Sequence, residues 1–422
     1  MMEKKRVYPI ILLIIIIFGH LWVLFPQIDL GVALTVYRVA IPIFTIYSFS
    51  QYCQKNKIYT KSFKFFLYVM GIWLVWGMLA LLYSPYSDFR EAIKELLSVL
   101  LGACSVICVY KLINEPKDLA SVFCILKASV IFLISIAWVE TFTDWHLLSS
   151  SLAEEEYVVL KLGSLKLYGA STIFYNVNDF YAFLGIMSVL FFDKFYKIQG
   201  IFVLISSLFL MVLNDANICL IAMVAAFMIF QLFRSHGLLK KVIIGLIITG
   251  FFITSNIIFS SRFSIYSIGE IFSIQIENAR LGVGSLYQRM AMYMESIEAV
   301  LKTNGLGLGP AGFTPYFLVG YHKTDLINPH NYWLEILSQY GVIVFGLYLW
   351  LYIGQIWRMV KIYREKSNPE AAILIAMLMA FVLASMAPSS FLTYSYQWIV
   401  LALCLSLDKI YIMTNKRMKN IY

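Results

Sequence analysis

The sequence predicts an all-α, polytopic integral membrane protein, and three observations carry that reading. Hydrophobic residues make up 61% of the 422 residues and charged residues only 14%, against about 25% charged in an ordinary soluble chain. Apolar runs close to the length of a membrane-crossing helix recur from one end of the chain to the other. The basic residues between those runs alternate in density, which records the side each connecting segment faces.

Twelve runs qualify, near 8–25, 30–50, 65–84, 96–110, 119–139, 178–192, 199–213, 217–233, 242–260, 333–356, 371–387 and 393–407. Each approaches the ~20 residues that cross about 30 Å of hydrocarbon, where a helix satisfies its own backbone hydrogen bonds. The first run follows Met-Met-Glu-Lys-Lys-Arg without a small-x-small cleavage site. It reads as a retained anchor rather than a signal peptide. The runs at 96–110, 178–192 and 199–213 are short, and only Asn214 and Asp215 divide the seventh run from the eighth. Eleven or thirteen spans therefore stay open beside twelve.

With twelve spans, the segments on one side hold 22 Lys and Arg and those on the other hold 9. The positive-inside rule then places both termini in the cytoplasm and the long segment 261–332 outside. No linker or low-complexity tract divides the chain, so residues 1–422 form one multi-pass domain with an extracytoplasmic loop at about 261–332. The net charge of +9 is mostly a topology signal. No basic stretch interleaved with aromatics occurs in a soluble segment, which argues against nucleic acid as a partner. Cys104, Cys108, Cys124, Cys219 and Cys404 lie in apolar runs, and no Cys-x-x-Cys occurs. Neither a metal site nor a disulfide framework is expected. The stretch Gly305 to Gly312 lacks the Gly-Lys-Ser/Thr ending of a phosphate loop, so no nucleotide and no other cofactor is expected there.

The polar residues at the predicted outer ends of the spans carry the chemistry. Ser285 to Lys302 has the period of an amphipathic helix, with Met290, Tyr293, Met294, Ile297 and Leu301 in one stripe and Gln288, Glu295, Glu298 and Lys302 in a polar arc. Arg289 falls outside that arc, beside Ser296 and Val300. A guanidinium aimed toward protein or membrane suits a lipid-linked phosphate, whose oxygens it can bind two at a time; a snorkelling arginine is the plainer alternative. Asn328-Pro329 reads as the cap and first position of span ten, which puts His330 in its first turn. There His330 could donate to phosphate, take a proton from a sugar hydroxyl, or simply anchor the helix end. Glu335 lies one turn further in, and an ion pair with Arg289 or Arg280 would offset its burial. Arg38, inside span two, must face the bundle interior or a wet cavity. Asn176, Asn178 and Asp179 open span six, and Asn214, Asp215 and Asn217 stand between spans seven and eight. Both sets are either helix caps or part of a polar ring for a substrate held by a lipid tail.

Asn328-Pro329-His330-Asn331 with Leu334, Glu335, Gly341 and Gly346 resembles the His-Asn…Gly segment of the O-antigen ligase and O-antigen polymerase superfamily. So does Arg289 followed by Gly305, Gly307, Gly309 and Phe313. Glu140 with His146-Leu147, and Phe174 with Asn176 and Asn178, are similar to the branch that makes teichuronic acid, capsule and exopolysaccharide. Val344 stands where the ligase pattern has Gly, Thr or Tyr, a departure from the strict ligase form.

The resemblance implies a metal-independent glycosyltransferase in the bacterial cytoplasmic membrane. Its donor and acceptor would be polyprenyl-diphosphate-linked oligosaccharides, joined on the outer face. It implies catalytic roles for His330, Arg289 and Glu335, and substrate contacts from Arg280, Asn331, Asn178, Arg38, Gly305, Gly307 and Gly309. A chain-length regulator and a flippase would be its protein partners. A ligase that moves finished glycan to a wall or lipid acceptor is the alternative within the same chemistry. A lipid-linked oligosaccharide flippase is the alternative outside it.

Overall fold

The computed structural model describes residues 4–21, 23–25, 34–50, 59–147, 151–153, 157–162, 164–194, 196–234, 284–319, 328–388, 390 and 396–419. Helix α1 (Lys4–Phe18) and α2 (Val36–Ser50) are joined through a short antiparallel pair, β1 (Val23–Phe25) and β2 (Leu34–Thr35). The first apolar run therefore ends its helix earlier than expected. The Gly19 carbonyl accepts from the Tyr37 N–H (3.1 Å), and a Cβ on Gly19 would sit 3.0 Å from that nitrogen, so the chain returns closely into α2 where the first helix stops.

Helix α3 (Lys61–Tyr83) starts on Thr60, whose side chain accepts from the Phe63 N–H. Helix α4 (Phe89–Leu112) starts on Asp88, which accepts from Arg90 and Glu91. It is longer than its apolar run because Arg90, Glu91, Lys94 and Glu95 occupy its first two turns and hide them from a hydropathy reading. Helix α5 (Pro116–Thr143) opens with a Glu115/Asp118 capping box and Pro116, and closes at Asp144 in the left-handed region (φ 55°). A hairpin of β3 (Val158–Leu162) and β4 (Leu165–Tyr168) follows. It leads to α6 (Val177–Met187), which continues as a 3-10 helix through Lys194. Helices α7 (Ile198–Leu213) and α8 (Asn217–Arg234) are separated by a turn at 214–216, with Asp215 at φ 52°. The weakest seam of the sequence is thus a true break.

The run at 242–260 lies outside the described residues. The chain resumes with α9 (Gly284–Lys302), α10 (Phe313–Val319), α11 (Tyr332–Lys366), α12 (Pro369–Ala384) and α13 (Tyr396–Lys419). Among the described residues, six helices are long and apolar enough to cross a membrane: α3, α4, α5, α8, α11 and most of α13. Most of α2, with α7 and α12, forms shorter apolar helices. Helix α8 lies against α12, α4 against α13, and α3 against α11.

The surface inverts the soluble pattern. Leu82 is 84% exposed and Trp350 is 74% exposed, while Asp408 and Glu140 are buried. An apolar exterior around interior charges is stable only in an apolar solvent. Two sets of polar contacts link distant helices near opposite ends of the bundle. In one, Asp408 accepts from Ser62 (2.8 Å) and Arg358 (3.2 Å), and Lys409 donates to Asn114 (3.3 Å). In the other, Trp76 and Tyr83 donate to the Leu306 carbonyl (3.2 and 3.1 Å), and Tyr340 donates to Glu95 (2.6 Å). Each set joins segments that the charge asymmetry puts on the same side of the membrane.

Candidate functional site

Helix α11 is broken at Gly341, whose φ of 73° and ψ of −177° are not helical. A break inside a span leaves backbone groups that lipid cannot satisfy. The loop 305–309 satisfies them. Leu308 N–H donates to Ser338 O (2.9 Å), Gly309 N–H to Gln339 O (2.8 Å), and Val342 N–H to Gly305 O (2.9 Å). The glycines permit this approach. A Cβ on Gly307 would lie 2.5 Å from Gln339 O and from Gly341 N, and one on Gly341 would lie 2.2 Å from Gly305 O. Gly305, Gly307 and Gly309 were expected to contact substrate. In this structure their N–H groups are donated inside the protein, to Val300 O (2.8 Å), Thr303 Oγ1 (3.1 Å) and Gln339 O. Their geometry is explained by the seam with α11, and their amides do not form an anion cradle.

Gly307→Ala is therefore expected to lower the thermal unfolding midpoint of the detergent-solubilised protein. The left-handed backbone alone costs an L-residue roughly 1–2 kcal/mol, and the backbone contact adds to it. Gly346→Ala is the control, because a Cβ there meets nothing within 4 Å. Equal midpoints for both variants would count against a tight seam.

The same loop is tied to the turn between the end of α3 and the start of α4. Ser87 donates to Pro310 O (3.0 Å), and the Ala311 N–H donates to Glu95 (3.1 Å), which also accepts from Tyr340. Glu95 was not among the expected site residues. Its position at the edge of an apolar run was the available signal, since an ionisable group there needs a partner.

The start of α11 differs from the expectation. The cap is Asn331, whose side chain accepts from the Trp333 and Leu334 N–H groups (3.0 and 3.3 Å). Asn328 instead accepts from the Thr314 hydroxyl (3.0 Å). His330 is not in the first turn. It precedes the helix in the left-handed region at φ 46°, where a non-glycine residue carries strain. The capping oxygen wins because the chain must turn sharply between the 328–330 segment and the helix axis. Asn331, expected at the substrate, spends its side-chain oxygen on this cap. Ala387 O lies 3.5 Å from His330 Nδ1. Burial, and after it the positive charge of Arg289, hold the His330 imidazole below its ordinary value.

Arg289 lies on α9 as expected, but the faces of that helix are assigned differently. Of the apolar stripe, Met290, Met294, Ile297 and Leu301 are exposed and Tyr293 is half-buried against the protein, whereas Met292, Ser296 and Ala299 are fully buried. The small and polar residues face the protein because they allow close packing. Arg289 is half-buried on that protein-facing side. Among the described residues it forms no ion pair. Its guanidinium is within electrostatic reach of His330 and of Cys219, in the first turn of α8. Asp179 reaches Cys219 as well. Asn178 and Asp179 belong to the first turn of α6, which is capped by Asn176 through the Asn178 N–H (2.9 Å). The structure thus gathers Arg289, His330 and the starts of α6 and α8.

Other expected residues lie elsewhere. Glu335 is buried and accepts from the Ser390 hydroxyl (2.5 Å); the expected ion pair with Arg289 is not formed. Arg38 sits by His20 and Tyr37, near the junction of α1 and α2. Arg280 lies outside the described residues. A further carboxylate, Glu140, is fully buried at the end of α5, 3.7 Å from His146 Nδ1.

A multi-helix bundle with an apolar exterior around buried polar and charged groups defines a polytopic membrane protein. Residues 201–351 match the O-Antigen ligase family. That segment contains Arg289, the glycine loop, His330, Glu335 and the Gly341 break. The chain is also 24% identical over 358 residues to the teichuronic acid biosynthesis protein TuaE of Bacillus subtilis (strain 168), covering 81% of this chain and 70% of that relative. Both matches make the chain similar to the O-antigen ligase and O-antigen polymerase superfamily, and it is a multi-pass protein of the cytoplasmic membrane. Its work is membrane glycan processing of that type.

Proposed function

We propose that this protein is a polysaccharide polymerase that joins polyprenyl-diphosphate-linked oligosaccharide repeat units on the outer face of the cytoplasmic membrane. The observation that carries the reading is the placement of a half-buried Arg289 within electrostatic reach of His330, at the start of α11. The leaving group of such a transfer is a lipid diphosphate, so a fixed cation is needed where negative charge develops. Arg289 fills that role, and Arg280 is its candidate companion. A neutral His330 takes the proton of the acceptor hydroxyl. Glu335 orients the start of α11 from inside the bundle. The exposed stripe of α9 meets lipid, so the site stands where a headgroup and an aqueous sugar chain can both reach it.

The energy resides in the donor's glycosyl-phosphate bond, and the step requires no nucleotide on the outer face. The kinship with a teichuronic acid biosynthesis protein favours a wall or capsule polymer as product. The test is the glycan profile of a strain lacking the gene. Single repeat units accumulating on lipid are the expected result. Long polymer retained on lipid would instead indicate a ligase, and units trapped on the inner leaflet would indicate a flippase.

A further inference from the structure

Glu140 has no part in the reaction as described above, yet its carboxylate is fully buried in the last turn of α5. One oxygen, Oε2, accepts two consecutive backbone N–H groups, from Ser171 (2.9 Å) and Thr172 (2.8 Å). Thr172 is left-handed, at φ 52°. Successive amides that converge in this way form a concave nest for an anion, and here the anion is a side chain of the same protein. The other oxygen, Oε1, lies 3.7 Å from His146 Nδ1, and His146 Nε2 lies 3.4 Å from Asp144 Oδ1. The carboxylate is therefore turned wholly toward protein, not toward a substrate.

What it holds is the approach to α6. The Phe174 N–H donates back to Ser171 O (3.0 Å), and the Phe174 ring packs on Phe183 and Tyr396 (centroids 5.4 and 6.0 Å apart). Two residues later Asn176 caps α6 and sets the direction of Asn178 and Asp179. Buried Tyr181, one turn on, is in electrostatic reach of both Glu140 and Cys219, and Cys219 is the residue that Arg289 and Asp179 share. Helix α6 also lies against α8, whose first turn carries Cys219.

We propose that Glu140 is a positioning residue: its carboxylate clamps the Ser171–Thr172 turn and thereby sets the first turn of α6 against the substrate-binding end. The reaction part of this rests on the glycan-transfer reading above; the clamp itself does not. Two measurements on the full-length protein in lipid nanodiscs test it. In Glu140→Ala, amide hydrogen exchange of Ser171 and Thr172 should accelerate by about tenfold or more, since both N–H groups lose their acceptor. The KM for the lipid-linked donor should rise about tenfold while kcat stays within about twofold, because donor binding is disturbed and the reacting groups are not. Glu140→Gln keeps an acceptor oxygen at the same reach and should restore both values. If Glu140→Ala does not accumulate, Glu140→Asp, one methylene short of the turn, replaces it with the same expected direction. Unchanged exchange at Ser171 and Thr172 in the shortened variant overturns the clamp. Faster exchange with an unchanged donor KM overturns the positioning role, and so does a Gln variant as impaired as Ala. A parent protein that transfers no glycan from any lipid-diphosphate donor sinks the transfer reading instead, and the exchange rates still decide the clamp.

Discussion

Arg289→Ala is expected to slow glycan transfer by about a thousandfold, the scale of losing a preorganised group that stabilises charge only as the leaving group departs. Protein level and membrane insertion should be retained, because the packing of α9 is carried by Met292, Ser296 and Ala299, and its outward contacts by Met290, Met294, Ile297 and Leu301. Arg289 is only half-buried on the protein-facing side and is not among the fully buried residues that carry the packing. Among the described residues it has no carboxylate to neutralise, so its removal leaves no buried acid unpaired. Arg289→Lys should recover only part of the rate. A single ammonium keeps the charge but cannot hold two phosphate oxygens in one plane. The measurement is polymer length in cells together with the rate of donor consumption in isolated membranes. Polymer of normal length in Arg289→Ala, at parent protein level, would remove Arg289 from the site.

The separate faces of α9 show how far the sequence could be read. Its boundaries were legible because an amphipathic period ends where the glycines begin. The displaced position of Arg289, away from the other charges, was legible for the same reason. Which apolar face turns inward was not, because hydrophobicity does not distinguish lipid from protein as a neighbour. In a membrane, small residues such as Ser296 and Ala299 mark the packed side and large ones the lipid side. The glycine loop was visible as a cluster, yet its purpose depends on the break at Gly341, a contact across the chain that no local pattern reports. At Asn328-Pro329-His330-Asn331 two asparagines competed for the cap. Local propensity favoured the one before proline, and the turn onto the helix axis chose the other. Glu95 was overlooked, and Glu140 was read only as part of a resemblance, because their partners, Ala311 with Tyr340 and Ser171 with Thr172, are supplied by distant segments.

His330→Ala should cost the reaction as much as the loss of Arg289, and the pH profile separates the two roles open to the imidazole. Burial and the nearby guanidinium depress its proton affinity below the ordinary 6.5, so His330 is neutral at pH 7. A neutral imidazole can accept the acceptor hydroxyl's proton; a protonated one can only donate to the diphosphate. As pH falls, the rate should hold through the ordinary histidine range and decline only when His330 finally takes a proton, at a pH below 6.5. Stability should follow the same direction. Between the unfolded value and the lower folded one, the unfolded chain binds more protons, so acidification through that window weakens the fold. Arg289→Gln removes one cause of the depression, and the acid limb of its residual activity should move up toward 6.5. A rate that rises on acidification would assign His330 to diphosphate binding and leave the proton to another group. An acid limb in the same place for parent and Arg289→Gln would mean that the two side chains do not share a site.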